Sequence, residues 1–298
     1  MLTSRAEFSG EARGCGSIVT AETTASDAEQ AHVLFEALPD GRFLPTEFSR
    51  GPWSPDALHG GPVAALVTGA AEGHEVDRSN PMQVARLTLE LLRPVPLEPL
   101  TLSLRTTRRG RKVQLIEVGI TAGVREVARA LVLRARQLPL DLPQLPTAGS
   151  TATGGVVPVP GPQEAPRQEP DHLWTAFHNS AMDMRYAAGR WLSSGPATVW
   201  FRLTCPVVSG WPVTAAMRAA AAADFGNGIS MLLPFEEWSF VNPDLTMYLD
   251  RLPVGDWVCL DATTSVRAES GLGLAQSTMF DQHGSIGRAL QTLVIEPR

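Results

Sequence analysis

The sequence contains little cysteine, and its three cysteines do not form a recognisable set. The number of cysteines is odd, and they are widely separated, at Cys15, Cys205 and Cys259. This pattern predicts neither a disulfide framework nor a zinc site built from closely spaced thiols. The first residues, Met-Leu-Thr-Ser-Arg-Ala-Glu, lack the apolar core of a secretion signal. We therefore expect the protein to work in the reducing environment of the cytoplasm.

Long apolar runs and an excess of positive charge are missing as well. No stretch approaches the roughly 20 consecutive apolar residues that a membrane-spanning helix needs. The formal net charge of −6 argues against a nucleic-acid-binding protein that relies on overall charge. The 44% of hydrophobic residues is ordinary for a globular chain. We expect a globular protein whose partners are neither nucleic acid nor membrane.

Two widespread catalytic signatures are also absent. The sequence has no Gly-x-Ser-x-Gly segment, which carries the nucleophile of α/β-hydrolases. Its six histidines and three cysteines show no metal-ligand spacing. We therefore expect neither a bound metal nor a cofactor.

The composition divides the chain of 298 residues into four segments. Residues 1–30 are rich in Ala, Ser, Thr and Gly and predict a partly ordered tail. Residues 138–170 carry a proline every few positions, which removes backbone donors and blocks helix formation, so they predict a semi-extended linker. Residues 31–137 and 171–298 are interpreted as two folded units.

The two folded units resemble each other in sequence. Four pairs of short motifs, spread over roughly eighty residues, keep nearly one separation, as expected of an internal repeat. The separation is 158 residues for three pairs and 159 for the fourth. The chain is therefore interpreted as two copies of one unit. The matched positions are Trp53 with Trp211, Thr88 with Thr246, Arg93 with Arg251, and residues 127–131 with 286–290.

Each copy predicts one helix followed by a four-stranded meander. The helices, 58–72 and 213–223, consist largely of small side chains, which allow neighbouring elements to approach closely. The segments that follow alternate polar and apolar residues over much of their length, as half-buried strands do. Such a unit is a helix wrapped by an antiparallel sheet, and two copies would place their sheets edge to edge. The predicted strands are 84–93, 100–107, 113–121, 125–136, 245–251, 257–266, 273–280 and 286–296.

Short motifs occur in a fixed order through both copies and span about residues 40–137 and 172–298. In the first copy they are Gly51-Pro52-Trp53-Ser54-Pro55, His59-Gly60-Gly61-Pro62, Arg93-Pro94-Val95-Pro96 and Gly110-Arg111. In the second they are Ala223-Asp224, Asn227-Gly228, Asn242-Pro243-Asp244-Leu245, Arg251, Gly255-Asp256-Trp257 and Gly287-Arg288-Ala289-Leu290-Gln291. This ordered set resembles the type II, double-hotdog acyl-CoA thioesterase family. The resemblance implies an α+β double hotdog, with two tandem repeats of a long helix wrapped by an antiparallel β-sheet.

Asp224, Asn242 and Gln291 are the candidate catalytic residues. The resemblance implies that the aspartate activates the hydrolytic water, beside a glutamine that holds the water or polarises the thioester. Asn242 stands where a family member has a threonine, and its amide can also orient water. The alternatives are a solvent-facing or helix-capping position for Asp224, a turn for Asn242 and a solvent-facing edge position for Gln291. The matching residues of the first copy are all apolar: Leu66, Val84 and Val132.

His59, Gly60 and Gly61 are the candidate oxyanion and substrate-binding residues. They precede a predicted helix, and two glycines allow a thioester carbonyl to approach the free N–H groups at the helix N-terminus. Those donors and the helix dipole would stabilise an oxyanion. The alternative is that the glycines serve only tight packing of helix against sheet. His59 is not favoured as a general base.

Arg108, Arg109 and Arg111 are weaker candidates for contacts with the phosphates of coenzyme A. They surround a predicted hairpin tip, and guanidinium groups bind phosphate in a bidentate manner. The alternative is an ordinary solvated turn. Trp53 is interpreted as a core or seam residue.

The resemblance implies an acyl-CoA thioesterase that hydrolyses an acyl thioester to a free acid and coenzyme A, with a role in lipid metabolism. The expected partner is an acyl-CoA or an acyl-carrier thioester. Two alternatives stay open: a double-hotdog hydratase or dehydratase acting on an acyl thioester, and a non-catalytic acyl-thioester-binding protein. Pairing into a dimer or a higher homo-oligomer is compatible with the sequence.

Overall fold

The structure, a computed structural model, describes residues 32–141, 157–168 and 174–298. The predicted tail and most of the predicted linker lie outside these ranges. The helices are α1 (Gly60–Gly73), α2 (Ala215–Ala223) and α3 (Gly226–Ser230), with a 3₁₀ turn at Glu47–Ser49 and a π-helical turn at Phe177–Ala181. Over the ranges described, no helix combines the length and the apolar character needed to cross a membrane.

The described strands form one antiparallel sheet. They are β1 (Phe35–Ala37), β2 (Phe43–Pro45), β3 (Met82–Leu91), β4 (Leu100–Arg108), β5 (Val113–Ala122), β6 (Arg125–Arg136), β7 (Met182–Ala188), β8 (Ala197–Leu203), β9 (Trp238–Val241), β10 (Asp244–Leu249), β11 (Trp257–Arg267), β12 (Leu272–Asp281) and β13 (Gly284–Pro297). Their order is β1-β2-β4-β5-β6-β3-β10-β13-β12-β11-β8-β7, and β9 pairs with β13 beside this path.

The elements predicted from the sequence are present. Both predicted helices and all eight predicted strands occur, with no end displaced by more than two residues. The prediction omitted β1, β2, β7, β8 and β9. Three of these are only three or four residues long, too short for a period of two to be recognised. The coarse prediction of an α+β protein dominated by an antiparallel sheet is confirmed.

The middle of the sheet joins strands from the two halves of the chain. There β3 pairs with β10, and Thr88 lies directly opposite Thr246. On one side of β3 the strands are drawn from residues 35–136, and the strands from β10 onward are drawn from residues 182–297. The seam between the halves is therefore a continuous ladder of backbone hydrogen bonds, in which neither β3 nor β10 is an exposed edge.

Helices α1 and α2 run antiparallel in close contact. A Cβ atom on Gly61, at the start of α1, would lie only 2.6 Å from the carbonyl oxygen of Ala221, at the end of α2. Nearer the other end of α1, a Cβ on Gly69 would lie 2.9 Å from Sδ of Met217. The small residues of both helices allow this approach, as the sequence predicted. One consequence matters for the site: the N-terminus of α1 lies beside the C-terminus of α2.

Part of the predicted linker packs against the sheet. Ala165 is buried together with Trp200 and Cys259. The indole Nε1 of Trp200 donates to the carbonyl oxygen of Pro160 at 3.1 Å, and the N–H of Tyr186 donates to that of Pro166 at 3.0 Å. Residues 157–168 are therefore part of the folded body, whereas 138–170 was assigned to a linker as a whole. The limits of the two folded units otherwise stay a prediction.

Candidate active site

Asp224 lies at the point where α2 ends. The alanine run favours helix, and the Thr214 hydroxyl caps its start by accepting from the N–H of Met217 at 3.1 Å. Asp224 is the C-cap residue and its side chain is only 5% exposed. A buried carboxylate needs hydrogen-bond partners to offset its lost hydration. The neighbouring elements supply them.

The three predicted catalytic residues meet at this carboxylate. Oδ1 of Asp224 accepts from Nδ2 of Asn242 at 2.8 Å and from Nε2 of Gln291 at 2.8 Å. Nε2 of Gln291 also lies 3.1 Å from the main-chain oxygen of Asp224, while its Oε1 accepts from the N–H of Asn227 at 3.1 Å. The amide of Gln291 is thus engaged on both sides. These contacts orient the carboxylate. They engage only Oδ1, so Oδ2 is available to other partners.

Oδ2 of Asp224 faces the start of α1. Nδ1 of His59 lies 2.8 Å from it, and the same nitrogen lies 3.0 Å from the N–H of Gly61. An imidazole Nδ1 carries either a proton or a lone pair, so it cannot donate to the carboxylate and accept from Gly61 at once. When Nδ1 donates to an ionised Asp224, the N–H of Gly61 is left without an acceptor. His59 therefore couples the carboxylate to the N-terminus of α1, a contact that the sequence did not predict.

Gly60 is required by the close approach of α1 to the carboxylate. A Cβ atom there would lie 2.7 Å from Oδ2 of Asp224 and 2.9 Å from its Cγ. Pro62, the third residue of α1, has no N–H, so the first turn offers the N–H groups of Gly60 and Gly61 alone. The partial positive charge at this helix end favours a negative group beside it.

Aromatic rings form the wall behind His59. The imidazole lies 4.7 Å from the ring of Phe225 and 5.3 Å from that of Phe177, and Phe225 packs 4.6 Å from Phe201, measured between ring centroids. All three phenylalanines are buried. The His59–Asp224 contact therefore has an apolar boundary on this side.

A cavity of about 810 Å³ opens onto the network. Its size is typical of sites that hold a small molecule or cofactor. Five of the six predicted catalytic and oxyanion residues line it, and Gly61 does not. The five are His59, Gly60, Asp224, Asn242 and Gln291. Much of the remaining wall is apolar and comes from both halves of the chain: Val63, Leu91, Val95, Ala122, Val127, Phe240 and Val241. Such a wall suits an acyl chain, with polar groups at one place to fix the reacting bond.

The arginines that line this cavity are not the predicted ones. Arg93 and Arg125 line it, and within the described ranges neither side chain forms an ion pair. Arg108, Arg109 and Arg111 do not line it. Arg109 binds the carboxylate of Glu75 at 2.5 Å.

A charged run was visible in the sequence, whereas Arg93 and Arg125 come together only through the fold. The N–H of Arg93 donates to the carbonyl oxygen of Val127, next to the start of β6, at 3.2 Å. The pairing of these two segments is what places both arginines on one cavity.

The cysteines of the described ranges are not suited to covalent catalysis. Cys205 and Cys259 are both buried. Burial raises the pKa of Cys205 to about 12, and it raises the pKa of Cys259 further. Both thiols are therefore protonated at neutral pH and poor nucleophiles. Cys15 lies outside the described residues.

Among residues 32–141, 157–168 and 174–298, no three or more side chains of His, Cys, Asp or Glu are grouped so that they could hold a metal ion. In the hydrogen-bond network itself, the titratable residues are Asp224 and His59.

Two residues of the cavity were misjudged or missed in the sequence. Trp53 was interpreted as a core or seam residue, but it is 41% exposed, lines the cavity and stacks on Phe235 at 4.7 Å. That interpretation was wrong, because a residue packed in the core or the seam would be buried. Asn227 was noted only as part of a motif, although it also lines the cavity.

Comparison of the sequence with models of known protein families identifies the family of this chain. Residues 49–135 match the family model described as the acyl-CoA thioesterase N-terminal domain, and residues 157–295 match the one described as the C-terminal domain. The chain belongs to the acyl-CoA thioesterase family. The resemblance drawn from the motifs is thereby confirmed, and the enzyme class is thioester hydrolase. Membership of the acyl-CoA thioesterase family also implies an acyl-CoA thioester as the substrate.

Solved structures support the hotdog fold of this acyl-CoA thioesterase. A hot-dog-fold protein from Alicyclobacillus acidocaldarius is 16% identical, with a TM-score of 0.66 over 86% of this chain and 92% of its own. The tesB protein of Mycobacterium avium subsp. paratuberculosis is 16% identical, with a TM-score of 0.59 over 88% and 96%. An acyl-CoA thioesterase II from Mycobacterium marinum is 18% identical, with a TM-score of 0.56 over 89% and 95%. No curated protein matches the sequence.

Proposed function

We propose that this acyl-CoA thioesterase hydrolyses its substrate by direct attack of a water molecule held at Asp224. The observation that carries the proposal is the carboxylate itself, which is buried, hydrogen-bonded by Asn242 and Gln291 and placed on the wall of an apolar cavity. With two donors on Oδ1 and His59 on one side of Oδ2, one lone pair of Oδ2 remains to receive a proton from water.

In the proposed reaction, Asp224 acts first as a base and then as an acid. It takes a proton from the water as the water oxygen bonds to the thioester carbon, which gives a tetrahedral oxyanion. The carbon–sulfur bond then breaks, the carbonyl re-forms, and the departing thiolate receives the proton from Asp224. The products are a free acid and coenzyme A, and no covalent intermediate forms on the protein.

The N-terminus of α1 is the proposed site for the oxyanion. The N–H of Gly60 has no carbonyl partner in the first helical turn, and the N–H of Gly61 becomes free when Nδ1 of His59 donates to Asp224. A proton on Nδ1 of His59 therefore has two effects. It stabilises the ionised Asp224, and it leaves the N–H of Gly61 free to donate to the substrate. Backbone donors of this kind stabilise developing negative charge without reorganising during the reaction.

We also propose that the chain is a double hotdog made of two copies of one unit. The opposition of Thr88 and Thr246, which are 158 positions apart, supports an approximate twofold relation between the copies. Only the second copy carries the polar residues. The first-copy positions Leu66, Val84 and Val132 are fully buried in the core, so this proposal predicts one catalytic site per chain.

The proposed function is tested by measuring free-thiol release from a series of acyl-CoA thioesters of increasing chain length. We expect turnover of at least one chain length, with acid and coenzyme A formed in equal amounts. An enoyl-CoA belongs in the series, since hydration without thiol release would indicate the hydratase alternative. Binding of all substrates without thiol release would indicate a non-catalytic binding protein. The cytoplasmic location, the role in lipid metabolism and homo-oligomer formation stay predictions.

Arg93 and Arg125 are proposed to hold the phosphates of coenzyme A. Replacing both with alanine should raise KM for acyl-CoA about tenfold, because two charge-assisted contacts to phosphate would be lost. The KM for the matching acyl-pantetheine, which has no phosphate, should not change. Wild-type KM for acyl-CoA should also rise with ionic strength.

Arg111→Ala is the matched control for the double variant. This arginine is exposed and does not line the cavity, so its replacement should leave KM unchanged. The reverse result would contradict this assignment. If Arg111→Ala raised KM and the double variant did not, the arginines of the β4–β5 hairpin would be the phosphate-binding residues.

A further inference from the structure

Gly228 leaves open space in the wall of the cavity. It is the middle residue of α3, it lines the cavity, and it is the one residue of this helix that is not buried. Among the described residues, a Cβ atom built on it would have no packing neighbour within 4 Å. Its φ angle is not in the left-handed region, so the backbone does not require glycine there. Neither packing nor backbone conformation within the protein therefore explains the missing side chain.

Other glycines of the helices are explained by close packing. At Gly60, Gly61, Gly69 and Gly226 an added Cβ would lie 2.6 to 3.0 Å from another group of the protein, so each of these glycines allows a close contact. A glycine without such a contact is a cost, because every residue except proline is more favourable in the interior of a helix. Since Gly228 allows no contact within the protein and lines the cavity, the space beside it is available to the molecule that enters the cavity.

The space beside Gly228 lies next to the catalytic network. The N–H of the preceding residue, Asn227, donates to Oε1 of Gln291 at 3.1 Å. Nε2 of the same carboxamide donates to Oδ1 of Asp224 at 2.8 Å. A single carboxamide therefore separates the backbone of α3 from the carboxylate, and a substrate group beside Gly228 lies close to the bond that hydrolysis would break.

We infer that Gly228 determines the acyl specificity of the enzyme, because its missing side chain leaves room for the acyl chain beside the thioester. The arginines that line the cavity, Arg93 and Arg125, come from the first half of the chain. Within the described ranges, the second half contributes no arginine or lysine to the wall, but it contributes apolar side chains such as Phe240. The phosphates of the carrier are thus held by the first half, and the acyl chain follows α3. This inference rests on the proposed function, since it needs a thioester held at Asp224.

Gly228→Ala and Gly228→Leu test the inference, because they fill the space in two steps. For the longest acyl-CoA that the wild type hydrolyses, we expect kcat/KM to fall by roughly 10- to 100-fold with leucine and by less with alanine, since the added atoms displace the acyl chain. The shortest substrate should lose less. Free coenzyme A has no acyl chain, so its Ki as an inhibitor should not change. The Tm of Gly228→Ala should not fall, because alanine favours helix and its Cβ has room.

Gly73→Ala and Gly73→Leu are the matched controls. Gly73 ends α1, and a Cβ added there would also have no neighbour within 4 Å, but this glycine is exposed and does not line the cavity. Both variants should keep the wild-type kcat/KM for every chain length. A loss in the Gly73 variants as large as in the Gly228 variants would overturn the inference, because the effect would then not come from the cavity.

The alternative occupant of the space beside Gly228 is the carrier arm. An equal loss for all chain lengths, together with a raised Ki for free coenzyme A, would identify that arm as the occupant and overturn the inference. A lower Tm of Gly228→Ala, in step with lost activity, would overturn it by assigning the glycine a structural role. Wild-type kcat/KM in both Gly228 variants, beside an inactive Asp224→Asn, would refute the inference alone. No thiol release by the wild type would refute the proposed function and the inference with it.

Discussion

Asp224→Asn is expected to lower kcat for acyl-CoA hydrolysis by roughly 10³-fold, because the group that accepts the proton of the water is removed. KM should change little, since the carboxylate is proposed to act on the water and not on the acyl chain or the carrier. The measurement is steady-state thiol release with the best substrate of the chain-length series.

The same variant should keep its fold. An asparagine oxygen at the Oδ1 position can still accept from Asn242 and Gln291, whose donors lie 2.8 Å away. Its NH₂ group would face Nδ1 of His59, which can accept in its other tautomer. The hydrogen bonds around the site are therefore preserved in number, and the near-complete loss of activity would not be a folding effect.

Asp56→Asn is the matched control. Asp56 also lines the cavity, but it is exposed and its carboxylate takes no part in the network around Asp224. Its replacement should leave kcat within about twofold of wild type, as surface substitutions usually do. Near-normal turnover by Asp224→Asn, or an equal loss in Asp56→Asn, would contradict the proposed role of Asp224.

Local sequence patterns were sufficient to predict helices α1 and α2 and eight of the thirteen described strands. Alternation at period two determines which face of each strand is buried, and that signal lies within ten residues. The constant offset between the copies added long-range information, because it compares each position with an equivalent one. An aspartate or glutamine that stands where the other copy has leucine or valine is visible without coordinates.

The contact between His59 and Asp224 was not visible in this way. The two residues are separated by most of the chain, and they meet because α1 and α2 pack antiparallel at a distance that only small residues allow. Arg93 and Arg125 likewise line one cavity only because two segments distant in sequence lie side by side in the fold. Contacts that depend on how two helices or two loops approach each other carry no periodic signature in either segment.

Asn227 was missed for a different reason. Its side-chain oxygen is buried without a hydrogen-bond partner among the described residues, and such unpaired atoms can be found only in a folded structure. The sequence shows an asparagine beside a glycine, a pair that is equally typical of a turn.

Asp281 is expected to contribute strongly to the stability of the second half of the chain. It ends β12 at the two-residue turn into β13, between the predicted strands 273–280 and 286–296. The side chain is completely buried. Arg251 binds it through both terminal guanidinium nitrogens, Nη1 at 2.5 Å and Nη2 at 2.6 Å, and the N–H groups of Val254 and His283 donate to it, each at 2.8 Å.

Asp281→Ala should lower the free energy of unfolding by about 3–5 kcal/mol, because it leaves a guanidinium and two N–H groups without their acceptor. Denaturant titration measures this change. Asp40→Ala is the control, since Asp40 pairs with Arg42 on the surface and its loss should change stability little. Equal effects of the two substitutions would contradict the assignment of the stabilisation to burial.

The stabilisation by Asp281 should also disappear in acid. Burial raises the pKa of this carboxyl, but the hydrogen bonds from Arg251, Val254 and His283 outweigh burial and hold the pKa below the ordinary value of 3.8. A depressed pKa in the folded state means that the ionised group stabilises the fold above pH 3.8 and that this contribution is lost as the pH falls through the folded-state pKa. The difference in stability between wild type and Asp281→Ala should therefore be full at neutral pH and shrink below about pH 4. A difference that is constant down to the acid limit would mean that Asp281 stabilises the hairpin by packing and not through its charge.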